Sequence, residues 1–387
     1  MIDFSLDGDQ RMLVETVDRF VRNEVEPLEA DIPDDGTIPR DKVAALRKKA
    51  QELGLFAMGM PAEVGGGGLS AVDLCLVDEK VGRVTSALSR NIFGQVYPML
   101  MACKGNQRDK YLLPTVRGER ICAMAITEPE AGSDAASIRT TALWDGSAYV
   151  MNGSKQFISD GDVADYAIVM ALTDPAKRAR GGITLFLVDK DTPGFRVGRV
   201  QKMMGHNGYG HAELFFENCR LGEDQILGEL GEGFKLIMKT VSRVRLANIG
   251  ARAVGMAQRA FDMAVKYANE RQQFGAPIGS FQMVQKMIAD MATDIYATRL
   301  MVLNTAWELD QGRDPRDKIS MVKLHASEMV GRVTDQALQI FGGMGYTKDL
   351  PIERLYRDCR VMRIFDGTSE IHRTLIAKHA LKEAAAA

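Results

Sequence analysis

The stretch Ile121-Cys122-Ala123-Met124-Ala125-Ile126-Thr127-Glu128-Pro129-Glu130-Ala131-Gly132-Ser133-Asp134 is where the chain changes texture. Ile121–Ile126 is a short β-rich run; Pro129 ends it, and Gly132 permits a bend that exposes backbone amides. Further short runs follow at Ser147–Met151, Asp165–Leu172, Ile183–Asp189, Phe195–Val200 and Glu213–Phe216, divided by turn pairs such as Asp145-Gly146 and Pro193-Gly194. Strands of this length and spacing predict a small antiparallel barrel or sandwich over residues 120–226.

Both flanks are helical. Over residues 1–119, apolar positions such as Val43, Leu46, Ala50 and Leu53 recur between charged ones, and Pro33-Asp34-Asp35-Gly36 and Gly65-Gly66-Gly67-Gly68 punctuate them. The four glycines lack a following Gly-Lys-Ser/Thr, so they read as a tight or flexible connection, not a phosphate loop. Over residues 227–387 the helices are long. Val284, Met287, Ile288, Met291 and Ile295 share one face, as do Met329, Val330, Val333, Ala337, Ile340 and Phe341. This predicts an antiparallel bundle with methionine as core filler, and a frayed tail at Ala384–Ala387. The expected class is α+β, mainly α: helices, then strands, then helices.

Composition narrows the function. A net charge of −2 argues against sequence-blind nucleic-acid binding. Five cysteines, with no Cys-x-x-Cys pair, predict neither a disulfide framework nor a metal site. The opening Met1-Ile2-Asp3-Phe4 carries no secretory pattern, and no apolar run is long enough to span a bilayer; the expectation is a cytoplasmic protein without membrane insertion.

Five segments carry candidate chemistry, and each has a plain reading beside a functional one. Ile126–Asp134 is an ordinary strand-to-loop turn, or a turn whose amides and the hydroxyls of Thr127 and Ser133 bind a polar ring edge or an anion. Asn152-Gly153 signals a hairpin, after which Phe157 and Ser159 share a strand face suited to a flat heterocycle or to packing. In Asn269–Gly275, Arg271 lies near a helix end that Gly275 would close; alternatively Arg271 and Gln282 hold a phosphate or sugar. Gln339–Tyr346 has glycines for close approach at a helix end, but its spacing is not a dinucleotide fingerprint. Asp366-Gly367 is a turn before a helix capped by Thr368 or Ser369, or a carboxylate partly desolvated by Phe365 and so made basic.

In this order and at these separations, Ile126–Asp134, Asn152–Ser159, Arg271–Phe274, Gln339–Gly343 and Arg357–Glu370 resemble the acyl-CoA dehydrogenase family, from Phe4 to about Leu381. The resemblance implies an N-terminal helical domain, a central β-domain and a C-terminal four-helix bundle, assembled as a homotetramer of paired dimers. FAD would lie between β-domain and bundle. Ile126, Thr127, Phe157 and Ser159 would contact its ring system, and Thr368 and Glu370 would face it. Phe157 stands where many relatives have Trp, and Ser159 where many have Thr. Arg271, Phe274, Gln282, Gln339 and Gly343 would bind FAD across the subunit contact, and Ser133 would meet coenzyme A. Asp366 would take the α-proton of an acyl-CoA thioester while the β-hydrogen leaves as hydride to the flavin. The backbone N–H of Asp366 would steady the thioester oxygen, and electrons would pass to an electron-transfer flavoprotein.

One departure stands out: most of the family has Glu where this chain has Asp366. Losing one methylene retracts the carboxylate by roughly 1.5 Å, which costs on the order of a hundredfold in rate if uncompensated. The resemblance associates an Asp base with alicyclic acyl-CoA dehydrogenases and with nitroalkane oxidases, the alternative function. Some relatives carry their base where a gap-free match puts Arg245, which cannot act as one. Arg243, Arg245 and Arg252 are a solvated face or subunit contact, or one of them pairs with Asp366 or a coenzyme A phosphate; Gly367 joins Arg243 and Arg245 as a substrate-side candidate. Arg90 is a candidate for a substrate carboxylate, and His206 and His211 read as surface loop residues without a metal role.

Overall fold

The computed structural model describes residues 5–33 and 37–386, with the Arg243 and Ala386 side chains excepted. The turn expected at Pro33–Gly36 therefore lies outside the described residues beyond Pro33, as does Ala387.

In the first block, helices Gly8–Phe20, Arg40–Glu52, Ala71–Val81 and Ser86–Phe93 are joined by short helical turns. Their starts are capped as the sequence dictates: Asp7 accepts from the Gln10 amide at 2.8 Å, and the Gln10 side chain answers the Asp7 amide. Ser70 caps Ala71–Val81 locally, and Asp310, 238 residues on from Val72, accepts from the Ala71 and Val72 amides as well. The glycine run is a tight connection whose amides are spent on the backbone: Gly65, Gly66 and Gly68 donate to Ala62, Pro61 and Met60. Gly66 has no room for a Cβ, which would sit 2.3 Å from the Met60 oxygen.

The middle block is one eight-stranded sheet: β1 (Cys122–Ala125), β2 (Thr141–Trp144), β3 (Tyr149–Ser159), β4 (Tyr166–Leu172), β5 (Ile183–Asp189), β6 (Phe195–Val200), β7 (His211–Leu221) and β8 (Ile226–Leu227). The order is β6-β7-β3-β2-β4-β5-β8, with β1 beside β4. Pairing is antiparallel as expected, apart from β1 along β4 and a single β2–β4 pair, which are parallel. Strand β4 is buried on both faces. Tyr166, Ile168, Met170 and Leu172 face a core shared with the first block and with Ile237 and Val241; Ala167, Val169 and Ala171 face the core inside the sheet.

The hairpin between β2 and β3 turns at Asp145–Ala148, where the Asp145 carboxylate collects the Ser147 and Ala148 amides. Asn152-Gly153, read as a hairpin turn, instead lies inside β3 at a bulge. Gly153 is there because φ is +149° and a Cβ would meet Thr140 Oγ1 at 2.5 Å.

The last block contains helices Gly233–Val244, Arg252–Glu270, Gln282–Asp310, Arg316–Phe341 and Ser369–Ala386, the last of which includes Ala384 to Ala386 of the tail expected to fray. Both anticipated apolar faces turn inward, with Met291, Ile295, Met329, Val330, Val333 and Ala337 buried in one core. Arg245–Ala251 is π-helical. A π turn holds one residue more than an α turn and rotates what precedes it by roughly 100°, so a gap-free count backward from Gly255 does not fix the direction of Arg245. Among the described residues, no helix is long and apolar enough to cross a membrane, and no His/Cys/Asp/Glu cluster could hold a metal ion.

Candidate active site

The turn carrying Asp366 lies between helix Ile352–Cys359 with its following 3-10 turn and helix Ser369–Ala386. Thr368 caps the latter: its hydroxyl accepts from the Ile371 amide at 3.3 Å and its carbonyl from the His372 amide at 3.0 Å. Ser369, the other capping candidate, donates to Glu328. Asp366 and Gly367 are both left-handed, with φ of +53° and +96°, and for the aspartate this costs about 1–3 kcal/mol. The Gly367 position suits glycine: its φ of +96° is one that L side chains rarely adopt, and a Cβ would sit tightly against the site, 3.0 Å from His372 Nε2 and 3.3 Å from an Arg245 nitrogen.

The turn is held by its carbonyls. Arg245 Nε donates to the Asp366 oxygen at 2.7 Å, His372 Nε2 lies 3.3 Å from the same oxygen, and Lys323 Nζ donates to the Gly367 oxygen. The Asp366 carboxylate, half-buried, receives no hydrogen bond among the described residues. Burial pushes its pKa up against the pull of Arg245, Lys323 and Arg90. A carboxylate so placed, with no hydrogen bond among the described residues, is chemically able to accept a proton.

On the sheet side, the Ile126–Asp134 loop leaves β1 and is pinned to β3. Gln156 N donates to the Thr127 oxygen at 2.8 Å. Lys155, fully buried, donates to the Ile126 oxygen at 3.0 Å and to Glu128 at 2.8 Å, and Glu128 also takes the Arg139 and Thr140 amides. A second register shift in β3 falls between Lys155 and Ile158 and contains Phe157 at φ +58°. The ring is left 49% exposed, while Ile158 is buried and Ser159 half-buried. Phe157 and Ser159 thus flank the buried Ile158 at a bulge and not in a regular strand. Ile126 and Thr127 are half-buried, and Ser133 is exposed on the loop.

A buried polar network joins this edge to the Asp366 turn. Arg90 is paired with Asp160, the neighbour of Ser159, and lies 4.9 Å from the Tyr209 ring centre. Tyr209 OH is 2.6 Å from His206 Nδ1, Ser86 is 3.0 Å from His206 Nε2, and the His206 ring meets Phe365 edge-on at 6.1 Å. His206 and His211 are therefore interior residues, not the surface residues expected, and burial pulls both down to about 4, so they stay neutral. Arg90 is committed to Asp160 and is not a free receptor for a substrate carboxylate.

A cavity of about 970 Å³ opens between the first block and the bundle, lined by apolar Phe93, Val96, Met238 and Leu246 and by basic Lys235, Lys239 and Arg313. Arg245 lies in its wall and simultaneously holds the Asp366 carbonyl. The Arg243 side chain lies outside the described residues. Glu370 is exposed in the first turn of its helix.

Of the candidate residues Arg245 lines this cavity; the Asp366 turn, the Ile126–Asp134 loop, Phe157 and Ser159 do not, nor do the remaining five candidates, Arg271, Phe274, Gln282, Gln339 and Gly343. Gly275 does not close the helix before Arg271; Gln272-Gln273 and Ala276-Pro277 form a miniature hairpin with left-handed Phe274 and Gly275 at its tip. Phe274 is 95% exposed, and Arg271, Gln282, Gln339 and Gly343 are exposed too. Met283, Tyr296 and Tyr346 add apolar surface on the same bundle.

Comparison with known proteins places this geometry. Models of the acyl-CoA dehydrogenase N-terminal, middle and C-terminal domains match residues 7–119, 123–219 and 231–381. The chain belongs to the acyl-CoA dehydrogenase family. It is 40% identical to an acryloyl-CoA reductase (NADH) of Anaerotignum propionicum, over 98% of this chain and 96% of that one. It is 37% identical to a cyclohexane-1-carbonyl-CoA dehydrogenase of Geobacter metallireducens, over 99% of this chain and 100% of that one. A solved complex of PigA with FAD and proline superposes with a TM-score of 0.90 at 30% identity, covering 98% of this chain and 99% of that one. This acyl-CoA dehydrogenase is an oxidoreductase with FAD as its cofactor. The residues present fit that group: a half-exposed aromatic ring on a backbone bent at a cost, beside a loop with accessible polar groups, suits a flat heterocycle.

Proposed function

We propose that the enzyme removes the α and β hydrogens of a short, branched or alicyclic acyl-CoA thioester, with Asp366 as the base. The observation that carries this reading is the Asp366 carboxylate itself: half-buried, raised in pKa and without a hydrogen bond, on a turn held by Arg245 in the wall of a large cavity. The apolar lining suits an acyl chain, and Lys235, Lys239 and Arg313 suit the phosphates of coenzyme A. Ser133, Gly367 and Arg243 join the substrate side of this proposal.

Bound FAD supplies the two-electron acceptor. Ile126, Thr127, Phe157 and Ser159 orient its ring system, with Thr368 and Glu370 facing it. Asp366 takes the α-proton at a carboxylate oxygen, and its own N–H donates to the thioester oxygen where negative charge develops. The exposed Arg271, Phe274, Gln282, Gln339 and Gly343 serve the FAD of a neighbouring subunit in a homotetramer, which accounts for so much uncovered apolar surface on one bundle. Electrons leave to an electron-transfer flavoprotein in the cytoplasm. The three units divide at 119/120 and 226/227. The cyclohexane-1-carbonyl-CoA relative supports an alicyclic substrate, and the acryloyl-CoA relative supports a short one, with the same bond worked in the reductive direction.

The second reading, an oxidase of the nitroalkane type, shares the aspartate. Steady-state turnover with a one-electron dye or with dioxygen separates the two. Dye-dependent turnover with little oxygen consumption is expected; rapid oxygen uptake with no gain from the dye would favour the oxidase.

A further inference from the structure

We propose that Lys323 is a positioning residue for the proton-abstraction step, clamping the Asp366 turn together with Arg245; this rests on the reading of Asp366 as the base. Lys323 lies on the buried face of helix Arg316–Phe341, in register with Ile319, Ala326 and Val330, and is fully buried. Among the described residues it forms no ion pair, and its ammonium makes one hydrogen bond, to the Gly367 carbonyl. A methionine of similar length would fill this space without the desolvation cost that an ammonium incurs. Burial pulls Lys323 down to about 8, which still leaves it mostly protonated at neutral pH.

The geometry shows what the charge is for. Asp366 and Gly367 are two successive left-handed residues, and their two successive carbonyls are each held by a cation from a different helix: Arg245 from the π-helical stretch, Lys323 from Arg316–Phe341. A non-glycine residue stays left-handed only where its surroundings over-determine it. Two charge-assisted bonds on adjacent peptides do this, and they act on the backbone, so the Asp366 carboxylate is left free for substrate. A base shorter by one methylene than is usual in the family has less reach with which to absorb a displaced turn, so its position depends more strictly on the clamp.

The charged and titratable groups around the turn are Arg245, Lys323 and Arg90, with Glu328 and Glu370 nearer Lys323. His372 is pulled down to about 4 and stays neutral. Lys323 lowers the pKa of Asp366. The base works ionised, so the rate rises with pH through that pKa, and removing the lysine moves this acid limb to higher pH.

The test compares native, Lys323→Met and Asp366→Asn holoenzymes by anaerobic single-turnover bleaching of the flavin across pH, with one ester that reduces the native protein. Lys323→Met is expected to lower the bleaching rate constant by about a hundredfold, to move the acid limb upward, and to leave FAD content and ester affinity within about threefold. A rate within twofold and an unmoved limb would overturn the clamp. If Lys323→Met yields no FAD-loaded protein, Lys323→Gln, which still donates but carries no charge, takes its place: a raised limb with a smaller rate loss supports the proposal, and an unmoved limb overturns it. Asp366→Asn keeps the two claims apart. Turnover by that variant removes the base reading itself; an inert Asp366→Asn beside an unaffected Lys323→Met removes only the clamp.

Discussion

Asp366→Asn is expected to slow flavin reduction by ester at least about a thousandfold, within the range that a positioned general base contributes, and to leave the FAD content unchanged. Asparagine preserves size and shape but cannot take the α-proton. The fold should tolerate it, because the turn is held through the Asp366 and Gly367 carbonyls and not through the carboxylate. Stability has a definite sign as well. The folded pKa of Asp366 is raised, so its contribution is fully present below the unfolded pKa and is lost as pH rises through the folded value. At neutral pH the ionised aspartate is a cost, and Asp366→Asn should melt at the same temperature as the native enzyme or higher. Stopped-flow bleaching within tenfold of native would mean that another group is the base.

Gly255→Val is expected to destabilise the protein by about 3 kcal/mol or more, toward the severe end for a single substitution. A Cβ at Gly255 would sit 1.8 Å from the Glu79 oxygen and 2.8 Å from its carbon; facing it, a Cβ at Gly82 would sit 2.3 Å from the Arg252 oxygen. The two glycines let helices Ala71–Val81 and Arg252–Glu270 meet backbone against backbone, where no side chain can swing aside. Arg252 reinforces the crossing through Asp78 at 2.6 Å. The same crossing supports the π-helical stretch that aims Arg245 at the Asp366 turn, so loss of activity should accompany loss of stability. Gly331, on an interior helix position with nothing within 4 Å of its would-be Cβ, provides the contrast: Gly331→Ala should be neutral or stabilising by up to about 1 kcal/mol. Thermal melts of the two variants check the pair; a Gly255→Val protein that melts with the native one would mean that these helices can part.

What could be read in advance was what local chemistry determines. Short β-rich runs bounded by turn residues located most of the strands, and three- and four-residue steps located the bundle helices, because both are consequences of backbone geometry over a few residues. The Asp366-Gly367 turn and a cap at Thr368 or Ser369 were visible for the same reason, and the structure assigns the cap to Thr368. Asn152-Gly153 misled, because its dipeptide signal describes a turn while Thr140, packed against Gly153 from β2's approach, calls for a glycine inside a strand. Gly275 misled in a similar way, closing a small hairpin and not a helix. His206 was read as a surface residue because two groups that make its burial tolerable, Ser86 and Asp358, lie far away in sequence; His211 packs against the nearby Tyr209 ring, but its burial follows from its place in β7, which the loop-like composition around it does not show.

Lys155 and Lys323 were missed altogether. Their partners include the carbonyls of Ile126 and Gly367, and a backbone carbonyl has no signature in a sequence. One signal was available for Lys323: a lone lysine in register with Ile319, Ala326 and Val330 on an otherwise apolar face. Such a lysine must have a buried partner, although the pattern does not say which.

The central claim, that this site oxidises acyl-CoA esters through Asp366, is tested most directly by anaerobic titration of the yellow protein with a panel of straight, branched, alicyclic and dicarboxylic acyl-CoA esters, following the flavin absorbance. The account predicts rapid bleaching by short, branched or alicyclic esters, and little by the dicarboxylic members because Arg90 is already paired with Asp160. Flavin that dithionite reduces but that no ester bleaches would contradict it, and bleaching by nitroalkanes in the same cuvette would give the site to the oxidase reading.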